Sequence, residues 1–244
     1  MATLPAIVAI LPAVFPTFLM AGTSFLENQL LASGDSDEKD SLVFSRGITL
    51  SEKIILSNKR IKIKYTNMLN LTIFCSGKND LKPEYVEATQ NLVSRIDIAK
   101  YRITYGGGSV GLMGTVRETF KNKSGTIITS NLKQFVEGDG DDYVFDNISD
   151  RQSKLIELAD LMLVLTGGFG TMYECLEAIT KNQIREISKK VIIFNFNHIY
   201  DHLLAQIEVL QREGFVKKTL NEYNIVVLTT VDEVVEYLEK FESS

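Results

Sequence analysis

The amino-acid sequence predicts an α/β domain built on a doubly wound parallel sheet, and three observations carry that prediction. Short apolar runs recur at residues 71–75, 102–105, 126–129, 161–165, 191–195 and 225–229. The runs are continuous rather than alternating, the pattern of strands covered on both faces, as in parallel sheets. Helix-like stretches separate most of them, and strands alternating with helices wind a sheet with helices on its faces. A chain of 244 residues that is 45% apolar and 23% charged has material for one substantial core.

The regular texture begins near Leu69, so residues 69–244 form the predicted domain and residues 1–68 an N-terminal extension. Residues 4–26 carry no charge and hold three of the four prolines, Pro5, Pro12 and Pro16. That length approaches a membrane span of roughly 20 residues, but no Lys or Arg precedes it and none follows until Lys39, so the usual positive flank is missing. A partner-covered apolar tail and a membrane or targeting role both fit. The polar stretch "ENQLLASGDSDEKD" reads as a linker. In "KRIKIKY", Ile61, Ile63 and Tyr65 alternate with basic residues, which predicts a half-buried strand with a solvated charged face.

Charge and composition exclude several classes. A net charge of −5 and a pI near 5.2 offer no electrostatic footprint for a nucleic acid polymer. The two cysteines, Cys75 and Cys175, sit in no metal-binding spacing, which argues against a disulfide scaffold or a structural zinc site. His198 and His202 are spaced to share a helix face, but "HIYDH" lacks the glutamate of a zinc protease, so they read as surface histidines.

In a doubly wound sheet the ligand sits beyond the carboxyl ends of the strands. Two glycine-rich loops follow strands there: "GGGSVGLMG" after Tyr105 and "TGGFGT" after Leu165. Gly106, Gly108 and Gly111 satisfy G-x-G-x-x-G, but a dinucleotide site also needs an acidic residue about 20 positions on. That neighbourhood is "TIITSN", so an NAD enzyme becomes a minor alternative. What remains is glycine baring backbone N–H groups to an anion at a helix N-terminus.

After the second loop, Thr171 is placed to cap a helix whose buried stripe is Met172, Cys175, Leu176 and Ile179, at i, i+3, i+4 and i+7. At 100° per residue Glu174 lies opposite that stripe, facing the loop mouth or solvent. The plain explanation is a capping box, Thr171 with Glu174, contributing about 1 kcal/mol; Thr230 with Glu233 offers another. Arg151 shifts the balance. It falls in the first turn of a helix beginning near Ser149, with Ser149 and Gln152 as a further box, and a cation there opposes the helix dipole by roughly 0.3 to 1 kcal/mol. It calls for an anion: Asp150, a bound phosphate, or the carboxylate of Glu174.

Taken together, "FCSG…EY", "YGGGSVGLMG", "DRQ…LAD…LTGGFGTMYECLEAIT" and "FNFNHIYDHLLAQIEVLQREGFV" resemble the LONELY GUY (LOG) family of cytokinin riboside 5′-monophosphate phosphoribohydrolases, which often carry a lysine decarboxylase label. The resemblance spans about residues 70–240. It implies a Rossmann-like fold with helices on both faces, and a homodimer or higher homo-oligomer. It also implies hydrolysis of the N-glycosidic bond of a cytokinin-type or other purine nucleoside 5′-monophosphate, giving free base and ribose 5-phosphate. The catalytic residues would be Arg151 and Glu174. Substrate contacts would come from Gly107, Gly108, Ser109, Gly167, Gly168, Gly170, Thr171 and Thr180, with no metal or organic cofactor.

Glycosidic cleavage passes through an oxocarbenium-like state that an ionised carboxylate stabilises. Arg151 would hold the phosphate and position Glu174. A lysine decarboxylase is disfavoured because nothing marks a lysine for a pyridoxal Schiff base. The chain departs from the family at Thr166 (usually proline), at Gln152 (usually lysine) and at "CSGK" (usually CGSS); Glu137 is a candidate for a further substrate-binding glutamate. The second functional expectation is a nucleotide-binding or sensing protein without turnover. The expected location is cytoplasmic, with membrane association or targeting through residues 4–26 as the alternative.

Overall fold

A computed structural model describes residues 50–57, 60–136 and 141–242, with side chains from residue 68 onward. The apolar segment 4–26, the acidic linker and Glu137 lie outside the described residues. The chain divides into two units at Thr66 and Asn67. In the first, β1 (Leu50–Ser57) and β2 (Arg60–Asn67) form a two-stranded sheet. Residues 60–65 of the alternating "KRIKIKY" fall in β2.

The second unit is a seven-stranded sheet in the order β6-β5-β4-β3-β7-β8-β9. Its strands are β3 (Leu69–Phe74), β4 (Tyr101–Tyr105), β5 (Ile127–Leu132), β6 (Tyr143–Phe145), β7 (Leu161–Val164), β8 (Lys190–Phe194) and β9 (Ile225–Leu228). Every neighbouring pair is parallel. The helices are α1 (Pro83–Arg95), α2 (Gly111–Asn122), α3 (Ile148–Leu158), α4 (Phe169–Gln183), α5 (Asp201–Arg212) and α6 (Val231–Lys240). The expected doubly wound sheet is present, and all six apolar runs form its strands.

Successive side chains on a strand point to opposite faces, and both faces here are covered. Leu71, Ile73, Ile103 and Tyr105 pack with Leu92 of α1, Leu112, Val116 and Phe120 of α2, and Val234 and Leu238 of α6. On the other face Phe74, Met162, Val164 and Ile193 pack with Leu155 of α3 and with Cys175 and Ala178 of α4. Continuous burial along β3 and β7 explains why their sequences do not alternate.

Strand β6 carries no apolar run and has only three residues, half-buried or exposed. Polar contacts place it instead. Asp142 accepts from the Thr129 N–H at 2.8 Å, and its own N–H donates to Thr129 Oγ1 at 2.8 Å. Among the described residues no helix is long and apolar enough to cross a membrane.

The order of the strands locates the functional end. The chain runs outward from β3 through β4, β5 and β6, then returns to β3's other side as β7, β8 and β9. That reversal opens a crevice at the carboxyl ends of the central strands. The two glycine loops follow β4 and β7, the strands flanking β3.

Candidate active site

Each glycine loop leads into a helix with no acidic residue in its first turn. The N-cap of α2 is Val110 and that of α4 is Gly168; neither helix has a side-chain cap or an acidic residue in its first turn. The other four described α-helices each carry an acidic residue there. Helix α3 is capped by Asn147 accepting from the Asp150 N–H, and α6 by the expected Thr230–Glu233 capping box. In α2 the Ser76 carbonyl takes the Met113 N–H; the start of α4 has no side-chain cap for its first N–H groups, which suits an anion. In α4 the first of the helix's own bonds runs from the Met172 N–H to the Gly168 carbonyl at 2.9 Å.

The glycines differ in what surrounds them. Among the described residues a Cβ on Gly168 or Gly170 would meet nothing within 4 Å, so none of them covers the α4 loop there. A Cβ on Gly167 would fall on Thr171 Oγ1, and one on Gly106 on Arg151 Nη2. Gly106 is glycine because the guanidinium occupies its side-chain space. Gly107, at φ +80°, lies against Asn131 and Asp141, while Gly108 lies against Met113. Ser109 is exposed at the rim. The "CSGK" turn links the loops: Ser76 N–H donates to the Thr166 carbonyl at 3.1 Å, and the Ser76 carbonyl accepts from Met113 N–H at 3.1 Å.

Arg151 and Glu174, 23 positions apart, meet here. Arg151 Nη1 donates to Glu174 Oε1, and Arg151 Nε donates to the Ser130 carbonyl at 3.0 Å. The side chains are only 9% and 5% exposed. Burial raises the Glu174 carboxyl above the ordinary carboxylate value; the charge and hydrogen bond of Arg151 pull it down, and burial prevails. Gln152, fully buried, donates from Nε2 to the Glu174 carbonyl at 3.4 Å, while its Oε1 has no partner.

Three local expectations are corrected. Helix α4 begins at Phe169, so Thr171 lies inside it and is not its cap; the box with Glu174 does not form. The buried stripe of α4 is Thr171, Glu174, Cys175, Ala178 and Asn182, whereas Leu176 is 40% exposed. Glu174 therefore faces inward, because Arg151 supplies the buried countercharge that makes this possible. The cap of α3 is Asn147 rather than Ser149, and Asp150 bonds Asn147, leaving Arg151 to the glutamate.

Thr180 does not join the loops. It is exposed, donates to the Leu176 carbonyl at 2.7 Å, and lies nine residues beyond Thr171, about 13 Å along the helix. His198 and His202 are both exposed, but α5 begins at Asp201, so they share no helix face. Burial raises both thiols, Cys75 far up and Cys175 to about 12, which leaves them inert near neutral pH.

Sequence reasoning missed Gly106 as the room for Arg151, Ser130 as its backbone partner, and the Asn131–Asp141 pair (3.1 Å) beside Gly107. Only Gly106 left a trace, inside a fingerprint that pointed to dinucleotides.

Comparison with known proteins bears on this arrangement. A family model described as "Possible lysine decarboxylase" matches residues 99–238. The cytokinin riboside 5′-monophosphate phosphoribohydrolase LOG7 of Arabidopsis thaliana is 30% identical over 178 residues, covering 70% of this chain and 82% of the relative. The chain belongs to the LONELY GUY family. Another LOG relative, the cytokinin riboside 5′-monophosphate phosphoribohydrolase LOG of Oryza sativa subsp. japonica, is 29% identical over 177 residues, covering 70% of this chain and 73% of its own.

Among solved structures, the molybdenum cofactor carrier protein of Chlamydomonas reinhardtii aligns with a TM-score of 0.53 at 16% identity, covering 71% of this chain and 98% of that one. The molybdenum cofactor binding protein of Rippkaea orientalis aligns with a TM-score of 0.51 at 18% identity, covering 71% and 96%. These likenesses establish a shared Rossmann-like fold.

Proposed function

We propose that this LOG-family chain hydrolyses the N-glycosidic bond of a purine nucleoside 5′-monophosphate, releasing the base and ribose 5-phosphate. The observation that carries the reading is the buried Arg151–Glu174 pair, held beside a glycine loop that opens onto the uncapped start of α4. Gly168 and Gly170 present N–H groups and open space for the 5′-phosphate, and the helix dipole supports its charge.

Glu174 then serves the sugar. As C1′–N bond cleavage builds positive charge on the ribose, a carboxylate facing it stabilises that charge or orients the attacking water. Arg151 pulls the Glu174 carboxyl back toward its ionised form against burial and offers a fixed cation to the phosphate. Substrate contacts from Gly107, Gly108, Ser109, Gly167 and Thr171 complete the cradle. Thr180 stands apart from this cradle.

The test is incubation with AMP and with isopentenyladenosine monophosphate, resolving free base and ribose 5-phosphate by chromatography. Base release by the native chain and none by Glu174→Gln supports the reading. Nucleotide binding without base release contradicts it and leaves a nucleotide-binding or sensing protein without turnover.

A further inference from the structure

Tyr200 lies outside both glycine loops, in the connection from β8 to α5, and is 4% exposed. Its hydroxyl donates to the Leu165 carbonyl at 2.6 Å. The phenol thus holds the main chain just before Thr166, while the Thr166 carbonyl accepts from Ser76.

The phenol is itself held. The Tyr200 N–H donates to Asn195 Oδ1 at 2.8 Å, and Asn195, 4% exposed, is tied to Asp201 through Nδ2 and to the Leu228 carbonyl through its N–H. Between Asn195 and Tyr200, Asn197 and His198 both take left-handed backbone, at φ +51° and +58°. Consecutive non-glycine residues in that region persist only where the surroundings enforce them, and such strain concentrates at functional sites.

Counting the loop's backbone groups shows the effect. Leu165 O and Thr166 O are engaged by protein, whereas Gly168 and Gly170 have no described neighbour within 4 Å of an added Cβ at the start of α4. We propose that Tyr200 is a positioning residue: its hydroxyl clamps the inner side of the "TGGFGT" loop, so that the outward N–H groups are pre-set for a phosphate. The inference rests on reading that loop as the phosphate cradle. Preorganised donors cost no rearrangement when the anion arrives, so releasing the clamp is felt by phosphate-bearing ligands.

Two measurements test it on the full chain. In the first, calorimetry gives the AMP affinity of the native protein, Tyr200→Phe and Tyr223→Phe, the last being another buried tyrosine packed on the same sheet face. The expected result is at least tenfold weaker binding for Tyr200→Phe and a change under twofold for Tyr223→Phe, whatever each does to thermal stability. In the second, amide hydrogen exchange on the native chain should show Ser76, whose N–H donates to the Thr166 carbonyl beside the clamp, protected at least a hundredfold over Gly168, a readout that requires no variant to fold. Native-like affinity in Tyr200→Phe, or equal exchange at Ser76 and Gly168, overturns the clamp alone. A native chain that binds no AMP overturns the cradle and the clamp together.

Discussion

Removing Arg151 separates what the buried pair does for the fold from what it does for chemistry. Its side chain is 9% exposed and that of Glu174 is 5%, so Arg151→Ala leaves a carboxyl group without its countercharge in a dry site. Breaking a buried pair from one side costs about 3–5 kcal/mol. For a domain of this size each kcal/mol moves the melting midpoint by about 2–4 °C, which places Arg151→Ala roughly 6–20 °C below the native protein. The double substitution Arg151→Met with Glu174→Leu removes both charges and fills the space. Such replacements of buried pairs are often neutral or stabilising by about 1–4 kcal/mol, so the midpoint should recover. Turnover should not: Arg151→Ala, Glu174→Gln and the double variant are each expected to lose at least a hundredfold in base release, the scale of a lost transition-state contact. Calorimetric melting and chromatographic base release on the same preparations provide the check. A midpoint for Arg151→Ala within 2 °C of native, or turnover surviving in the double variant, refutes the reasoning.

Other consequences concern pH and the glycines. Burial holds the Glu174 carboxyl above the ordinary carboxylate value, so activity that needs the carboxylate is lost as pH falls through that raised value. The acid limb of kcat/KM should lie above pH 4.5; a limb at or below it contradicts the assignment. The stability contribution has the opposite sense: it is fully present below the ordinary value and is lost as pH rises through the raised one. An added Cβ on Gly168 or Gly170 meets nothing within 4 Å, so alanine there should leave the melting midpoint within about 2 °C and still weaken AMP binding measured by calorimetry. Gly106→Ala should instead abolish base release by displacing the Arg151 guanidinium; full activity in that variant places the guanidinium elsewhere. Asn147→Ala removes the α3 cap and should cost about 1 kcal/mol in urea unfolding.

The fold was legible because covering both sheet faces demands uninterrupted apolar strands, and six of the seven strands of the large sheet announced themselves that way. Strand β6 did not, since its position depends on the exchange of hydrogen bonds between Thr129 and Asp142 rather than on burial. The site was legible in its parts. Glycines marked the loops, and Arg151 in a first turn signalled a missing anion. The orientation of Glu174 was not legible, because helical periodicity assumes that the buried face is the apolar one, and α4 instead buries a glutamate against a guanidinium supplied by α3. The Thr171 cap failed for a related reason: α4 begins three residues earlier than that cap implies, after Gly168, and its first N–H groups are left without a side-chain partner. Tyr200 was invisible, since no local pattern ties residue 200 to the loop at 165–167.

The central claim is that the glycine loop grips a 5′-phosphate while Glu174 acts on the sugar it carries, and kcat/KM for AMP against adenosine tests this most directly. The account predicts release of adenine and ribose 5-phosphate from AMP at least a thousandfold more efficiently than release of adenine from adenosine, with ribose 5-phosphate acting as a competitive inhibitor. Equal efficiency on the two substrates, or no base released from either, would contradict it.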